Sequence, residues 1–205
     1  MTRPDPTEMI SRDAAPMLDH YLALLTKWNV AINLVSPATL KEARHRHFLD
    51  SAQIYHLSAA EGRSWVDLGS GAGFPGLVLA ILRKAEGASG AVTLIEADRR
   101  KAVFLTTVIR ELSLDAQVIV DRIERAAPQQ ADRICARALA ALPVLCGFME
   151  RHADPSAVAL FPKGRNYRNE VEEARQNWDF SMKLHESVTD PEGVILEIQD
   201  LLRKS

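Results

Sequence analysis

A mostly parallel α/β sheet covered by helices on both faces is the fold class this sequence predicts, and three observations predict it. Short apolar runs alternate with amphipathic stretches from residue 65 onward, the pattern of strands joined by crossover helices. The first run opens directly onto a turn nearly stripped of side chains, Gly69-Ser70-Gly71-Ala72-Gly73-Phe74-Pro75-Gly76. The last two runs lie close together around Asp190-Pro191-Glu192-Gly193, turn material that closes them as an antiparallel hairpin.

Each element has its own signal. Met17, Leu18, Tyr21, Leu22, Leu25 and Trp28 recur at three-and-four spacing, which predicts an amphipathic helix over residues 14–30. One or two more helices are expected over 40–57, with Ser36 before Pro37 as an N-cap and Trp28 and Asn33 in packing and capping roles. Residues 65–68 read as a short buried strand, 76–83 as a helix, 92–95 as a second strand and 99–112 as a second helix. The series continues with strands at 118–120 and 133–136, a helix at 142–152, a strand at 157–161 and a helix at 167–177. It ends in the hairpin of 182–188 with 194–198. A βαβ series closed this way is the Rossmann-like class I sheet usual for methyltransferases dependent on S-adenosylmethionine (SAM), whereas dinucleotide domains usually continue with parallel strands.

At 205 residues the chain supports one main domain, expected over 61–205, with residues 1–60 as a helical extension packed on it. Apolar residues make up 47% and the formal charge is −2, so any nucleic-acid contact must come from local patches. No stretch reaches the roughly eighteen apolar residues of a membrane span, and residues 1–12 are polar without the apolar run of a signal peptide. A cytoplasmic monomer is expected. Cys135 and Cys146 are too few for a disulfide framework and sit in apolar surroundings, as packed thiols do. No metal site is expected, because His45 and His47 are two apart and would face different directions on a helix.

The glycine turn points to a nucleotide-type pocket, since glycines permit positive φ and close approach of a ligand to the backbone. It contains G-x-G-x-x-G from Gly71, and Glu96 follows Gly76 at the offset of an acid that holds an adenosine ribose. Charge separates the ligands. Asp67 just before Gly69 would repel a pyrophosphate but favour the cationic methionyl group of SAM, and Pro75 removes one of the N–H donors that cradle phosphate. Asp67, Gly69, Gly71, Gly73 and Glu96 are therefore expected to bind the cofactor.

The residues resemble the RsmG (GidB) family of bacterial small-subunit ribosomal RNA methyltransferases. The likeness rests on Trp28-Asn29, Asn33-Leu34-Val35-Ser36, Arg46-His47-Phe48-Leu49-Asp50-Ser51, the glycine turn with Phe74-Pro75-Gly76, Glu96, Lys101, Phe104-Leu105, Ile123-Glu124, Ala136-Arg137-Ala138 and Pro162-Lys163-Gly164, in order across nearly the whole chain. It implies SAM as cofactor, contacts from Gly69, Phe74, Ile123, Glu124 and Arg137, and transfer of methyl to guanine N7 in the 530-loop region of 16S rRNA, free or within the small ribosomal subunit. The Ile123 contact is expected through its backbone.

The remaining expectations concern the reaction. Guanine N7 carries a lone pair at neutral pH, so orientation matters more than a general base. Strand four lacks both the Asn/Asp-Pro-Pro-Tyr element of amino-group methylases and a Pro-Cys element. Arg137 lies in an apolar segment where a charge needs a partner or a ligand. Arg137 or Lys163 is expected to hold a phosphate or guanine O6, with Lys163, Arg165 and Arg168 as a local basic edge. His47 is placed with them as a catalytic candidate. Arg46, His47 and Asp50 are expected as a polar cluster at the pocket mouth, either positioning the base or pinning the helical lobe. Phe74 or Phe161 is the expected stacking platform. The rival classes are a small-molecule or protein methyltransferase, an NAD-linked oxidoreductase and a non-catalytic SAM- or RNA-binding protein.

Overall fold

The computed structural model of the chain describes residues 9–57 and 64–204. The boundary expected between residues 60 and 61 falls outside them. Helix α1 (Ala15–Ile32) ends where Asn33 takes a left-handed conformation, and Ser36 caps α2 (Pro37–Lys41) by accepting from the Thr39 N–H at 3.2 Å. A π-helical turn, Arg44–Leu49, runs directly into α3 (Asp50–Leu57). Asn29, named in the sequence only as part of the family likeness, holds the intervening loop by bonding both the N–H and the C=O of Val35.

The α/β series then follows as expected: β1 (Trp65–Leu68), α4 (Gly76–Ala85), β2 (Val92–Ile95), α5 (Arg99–Glu111), β3 (Ala116–Ile119), β4 (Ala131–Cys135), α6 (Leu142–His152), β5 (Ala153–Lys163), α7 (Tyr167–Asn177), β6 (Trp178–Glu186) and β7 (Val194–Arg203). The strands form one sheet in the order β3-β2-β1-β4-β5-β7-β6. Pairings from β3 to β5 are parallel, and β7 lies antiparallel between β5 and β6. Helices α1, α3, α4 and α5 contribute to one apolar layer and α6 and α7 to the other.

Strand limits differ where pairing extends them. Strand β5 is longer than 157–161 because β4 and β7 both pair with it. Strand β6 starts at Trp178, whose side chain and that of Phe180 are buried while Asp179 and Ser181 are exposed, a two-residue period. Strand order reverses between β1 and β4, the switch point beside which ligands of open α/β sheets bind, at the carboxyl ends of the strands.

Candidate active site

A cavity of about 1290 Å³ opens at those carboxyl ends. Its wall includes Gly69, Gly71, Phe74 and Glu96 from the glycine turn and the end of β2, Ile123 and Glu124 after β3, Arg137 after β4 and Lys163 at the end of β5. The sequence had placed these together. It had not found the contribution of the β6–β7 hairpin tip, where Ser187, Thr189 and Asp190 also line the cavity.

The turn has two faces. On the cavity side Gly69 and Gly71 have φ of +65° and +57°, and a Cβ on Gly71 would meet only the Gly69 carbonyl at 3.8 Å. Glu96 braces this face, its two carboxylate oxygens accepting from the N–H groups of Gly71 at 2.8 Å and Asp98 at 2.7 Å. On the opposite side, a Cβ on Gly73 would lie 2.4 Å from Leu77 and 2.7 Å from the Tyr21 hydroxyl, and that hydroxyl donates to the Ala72 carbonyl. Gly73 therefore serves the packing of α1 against the turn and does not line the cavity, contrary to expectation.

Asp67 is corrected in the same way. Its side chain is fully buried beneath the turn and accepts from the Gly76 N–H at 3.0 Å, so it caps α4 from within. Burial pushes its carboxyl up to about 7, which leaves it poised between its neutral and charged forms near neutral pH. The Asp67 side chain does not line the cavity, and the repulsion argument against diphosphates loses its open carboxylate. A different obstacle replaces it: the Gly76 N–H is already taken by an internal acid.

Arg137 is the centre of a polar knot. One terminal nitrogen donates to the Arg46 carbonyl at 2.9 Å and to Asp50 Oδ2 at 3.2 Å, and the other meets His47 Nδ1 at 2.9 Å. The guanidinium lies 5.0 Å from the Phe74 ring centroid, and His47 stacks on that ring at 4.6 Å. Arg137 thus has the charge partner its apolar setting demanded, and the cluster of Arg46, His47 and Asp50 joins the helical lobe to the end of β4. Burial, then the nearby Arg137 charge, lowers the His47 imidazole to about 4, so it is neutral at physiological pH and accepts from Arg137 through Nδ1. Its Nε2 is buried without a partner. His47 therefore offers the cavity no free basic nitrogen, which corrects its placement as a catalytic group.

Three further expectations change. Lys163 Nζ donates to the Ala140 carbonyl and to Glu170, both at 2.7 Å, and its side chain is 8% exposed; Glu170 also accepts from the Leu142 N–H at the start of α6. The amine braces the loop after β4, leaving Arg165 and Arg168 as the exposed part of the basic edge. Phe161 is fully buried in the core layer of α6 and α7, and the Phe74 ring is covered by its neighbours, so neither is an open platform. Ile123 lines the cavity, but its carbonyl accepts from His152 Nε2 at 2.8 Å, which takes up part of the backbone expected to meet a ligand. Cys135 and Cys146 are buried, as packed thiols should be.

The family profile described as GidB, rRNA small subunit methyltransferase G, matches residues 14–198. The chain belongs to the GidB family. Among its GidB relatives, the Ribosomal RNA small subunit methyltransferase G of Cereibacter sphaeroides is 46% identical over 192 residues, 94% of this chain and 93% of the relative. That of Paracoccus denitrificans is 44% identical over 182 residues, covering 88% and 92%. The fold of this GidB chain is shared by a SAM-dependent methyltransferase from Aquifex aeolicus at a TM-score of 0.60 and 17% identity, over 80% of this chain and 98% of the other. Among the described residues no helix is long and apolar enough to cross a membrane.

Proposed function

We propose that this chain transfers a methyl group from SAM to N7 of a guanine in the 530-loop region of 16S rRNA. Methylation of small-subunit rRNA follows from membership of the GidB family; the nitrogen and the loop are the finer reading. What carries it is the meeting of that membership with a cavity at the switch point whose walls hold Glu96 and Arg137 and offer no free imidazole.

The cavity fits SAM by its own chemistry. Each Glu96 oxygen has given one acceptor position to a backbone N–H and retains another for a ribose hydroxyl. Gly71 leaves open space over the turn. Arg137 supplies positive charge for the methionyl carboxylate at the cavity wall. When bound, SAM supplies an electrophilic methyl group on a sulfonium. The protein's contribution is then alignment: Glu96 and Arg137 fix the two ends of the donor, and the neighbouring rim from Leu139 to Ala140 and Pro162 to Gly164 accepts the base. N7 needs no proton removed, which agrees with a neutral His47 whose Nδ1 is committed to Arg137. The partner is 16S rRNA or the small subunit, met in the cytoplasm by a monomer.

Mapping 7-methylguanosine in 16S rRNA from cells with and without the protein tests the reading. Loss of the modification at a single 530-loop guanine is the expected result. A different modified position, or an unchanged rRNA, refutes it.

A further inference from the structure

We infer that Asp50 is a positioning residue, whose carboxylate sets Arg137 in the cavity wall and ties it to the tip of the β6–β7 hairpin. The inference rests on the reading of Arg137 as a cofactor contact. Two segments far from it in sequence, and Gln53 of its own helix, converge on this carboxylate. Oδ2 accepts from Arg137 after β4 at 3.2 Å. Oδ1 accepts from the Thr189 hydroxyl at 2.7 Å and from Gln53 Nε2 at 2.8 Å. Gln53, almost fully buried, then accepts from the Val188 N–H at 2.9 Å, so the hairpin tip is held at two successive residues. Within the tip, the Ser187 hydroxyl accepts from the N–H groups of Thr189 and Asp190, both at 3.2 Å.

The geometry divides the work. The remaining acceptors of the Arg137 guanidinium, the Arg46 carbonyl and His47 Nδ1, are neutral, so Asp50 alone brings it a negative charge among these contacts. The Asp50 and Arg137 side chains are 17% and 18% exposed, a partly dry setting in which a charge-assisted bond is stronger than at an open surface. The Thr189 hydroxyl and Gln53 amide occupy the other oxygen and fix which way the carboxylate faces. Ligand contact at Arg137 and the placement of the hairpin tip are therefore linked through one group, although Asp50 itself touches no reacting atom.

The test is a double-mutant cycle read by calorimetric titration of SAM and S-adenosylhomocysteine, with kcat and KM for methyl transfer to small-subunit rRNA measured alongside. Asp50→Asn should weaken SAM binding about tenfold and raise KM for SAM while kcat at saturation stays within about twofold. In an Arg137→Ala background the same substitution should change SAM affinity by less than about twofold. Thr189→Val, which leaves the charge pair in place, should weaken SAM binding about two- to threefold and provides the readout if Asp50→Asn does not fold. An unchanged SAM affinity in both Asp50→Asn and Thr189→Val overturns the inference, as does an Asp50→Asn effect of equal size with and without Arg137. If Arg137→Ala itself binds SAM normally, the underlying reading of Arg137 fails, and that outcome is distinct from failure of Asp50 alone.

Discussion

Asp67 and Glu96 flank the same glycine turn, carry nearly the same chemistry and do opposite things. Asp67 lies under the turn, fully buried, and spends its carboxylate on the first N–H of α4. Glu96 lies at the cavity wall and holds the turn's Gly71 N–H and the Asp98 N–H after β2 while keeping acceptor positions in reserve. An acid beside a glycine-rich turn is therefore not by itself a ligand contact. What decides is which face of the turn it meets, and side-chain neighbours such as Tyr21 and Leu77 close the lower face completely.

The sharpest way to break this comparison is to fill the lower face. Gly73→Ala puts a Cβ into Leu77 and the Tyr21 hydroxyl at a φ of +96°, and should cost about 3 kcal/mol or more in urea unfolding. A loss below 1 kcal/mol would mean that the lower face is not closed. Removing the internal cap comes next. Asp67→Ala leaves the buried Gly76 N–H unpaired and should cost about 2 kcal/mol, with SAM affinity of the folded fraction within about twofold of normal. Glu96→Ala should reverse the pattern, weakening SAM binding about tenfold with less than about 1 kcal/mol of lost stability, measured by calorimetry and denaturation on the same preparation.

The last test of the comparison is a pH dependence. Because the folded-state Asp67 carboxyl is raised to about 7, its protonated form favours the fold below its ordinary range near 3.8, and that advantage is lost as pH rises through about 7. His47 works in the opposite direction: its folded-state value of about 4 lies below the ordinary 6.5, so stability is lost as pH falls through that interval. The two oppose each other between about pH 4 and 6.5. Compared with wild type, Asp67→Asn should gain stability as pH rises from 4 to 7, while His47→Gln should lose it from 4 to 6.5. Parallel difference curves for the two variants would contradict the assignment.

The fold was legible because it is written in short-range patterns: the α1 stripe of Leu18, Tyr21 and Leu25, the four-residue apolar strands, the turn residues Asp190 to Gly193. The cavity wall was legible for the same reason, since Gly69, Glu96, Ile123 and Arg137 each stand at the end of a recognisable strand. What could not be read was which atoms are already taken. Lys163 looked like a free cation because Glu170, seven residues on, meets it only once α7 has packed against the end of β5. His47 looked like a catalytic group because burial and Arg137, ninety residues away, are absent from local sequence. The one available signal for the Asp67 cap was Gly76, where a Cβ would come within 2.7 Å of the Asp67 carboxylate; a glycine at a helix start beside a buried acid marks close approach.

The position of β7 between β5 and β6 separates the order of synthesis from the order of assembly. As the ribosome extends the chain, β6 emerges before the strand that must seat it, and the edge of β5 from Ala159 to Lys163 stays bare until Val194 to Ile198 arrive. The tip carrying Thr189 is anchored to its own sheet only then. An RNA-modifying enzyme built this way finishes one wall of its workplace last, so a nascent chain halted before Val194 lacks the strand that seats this wall.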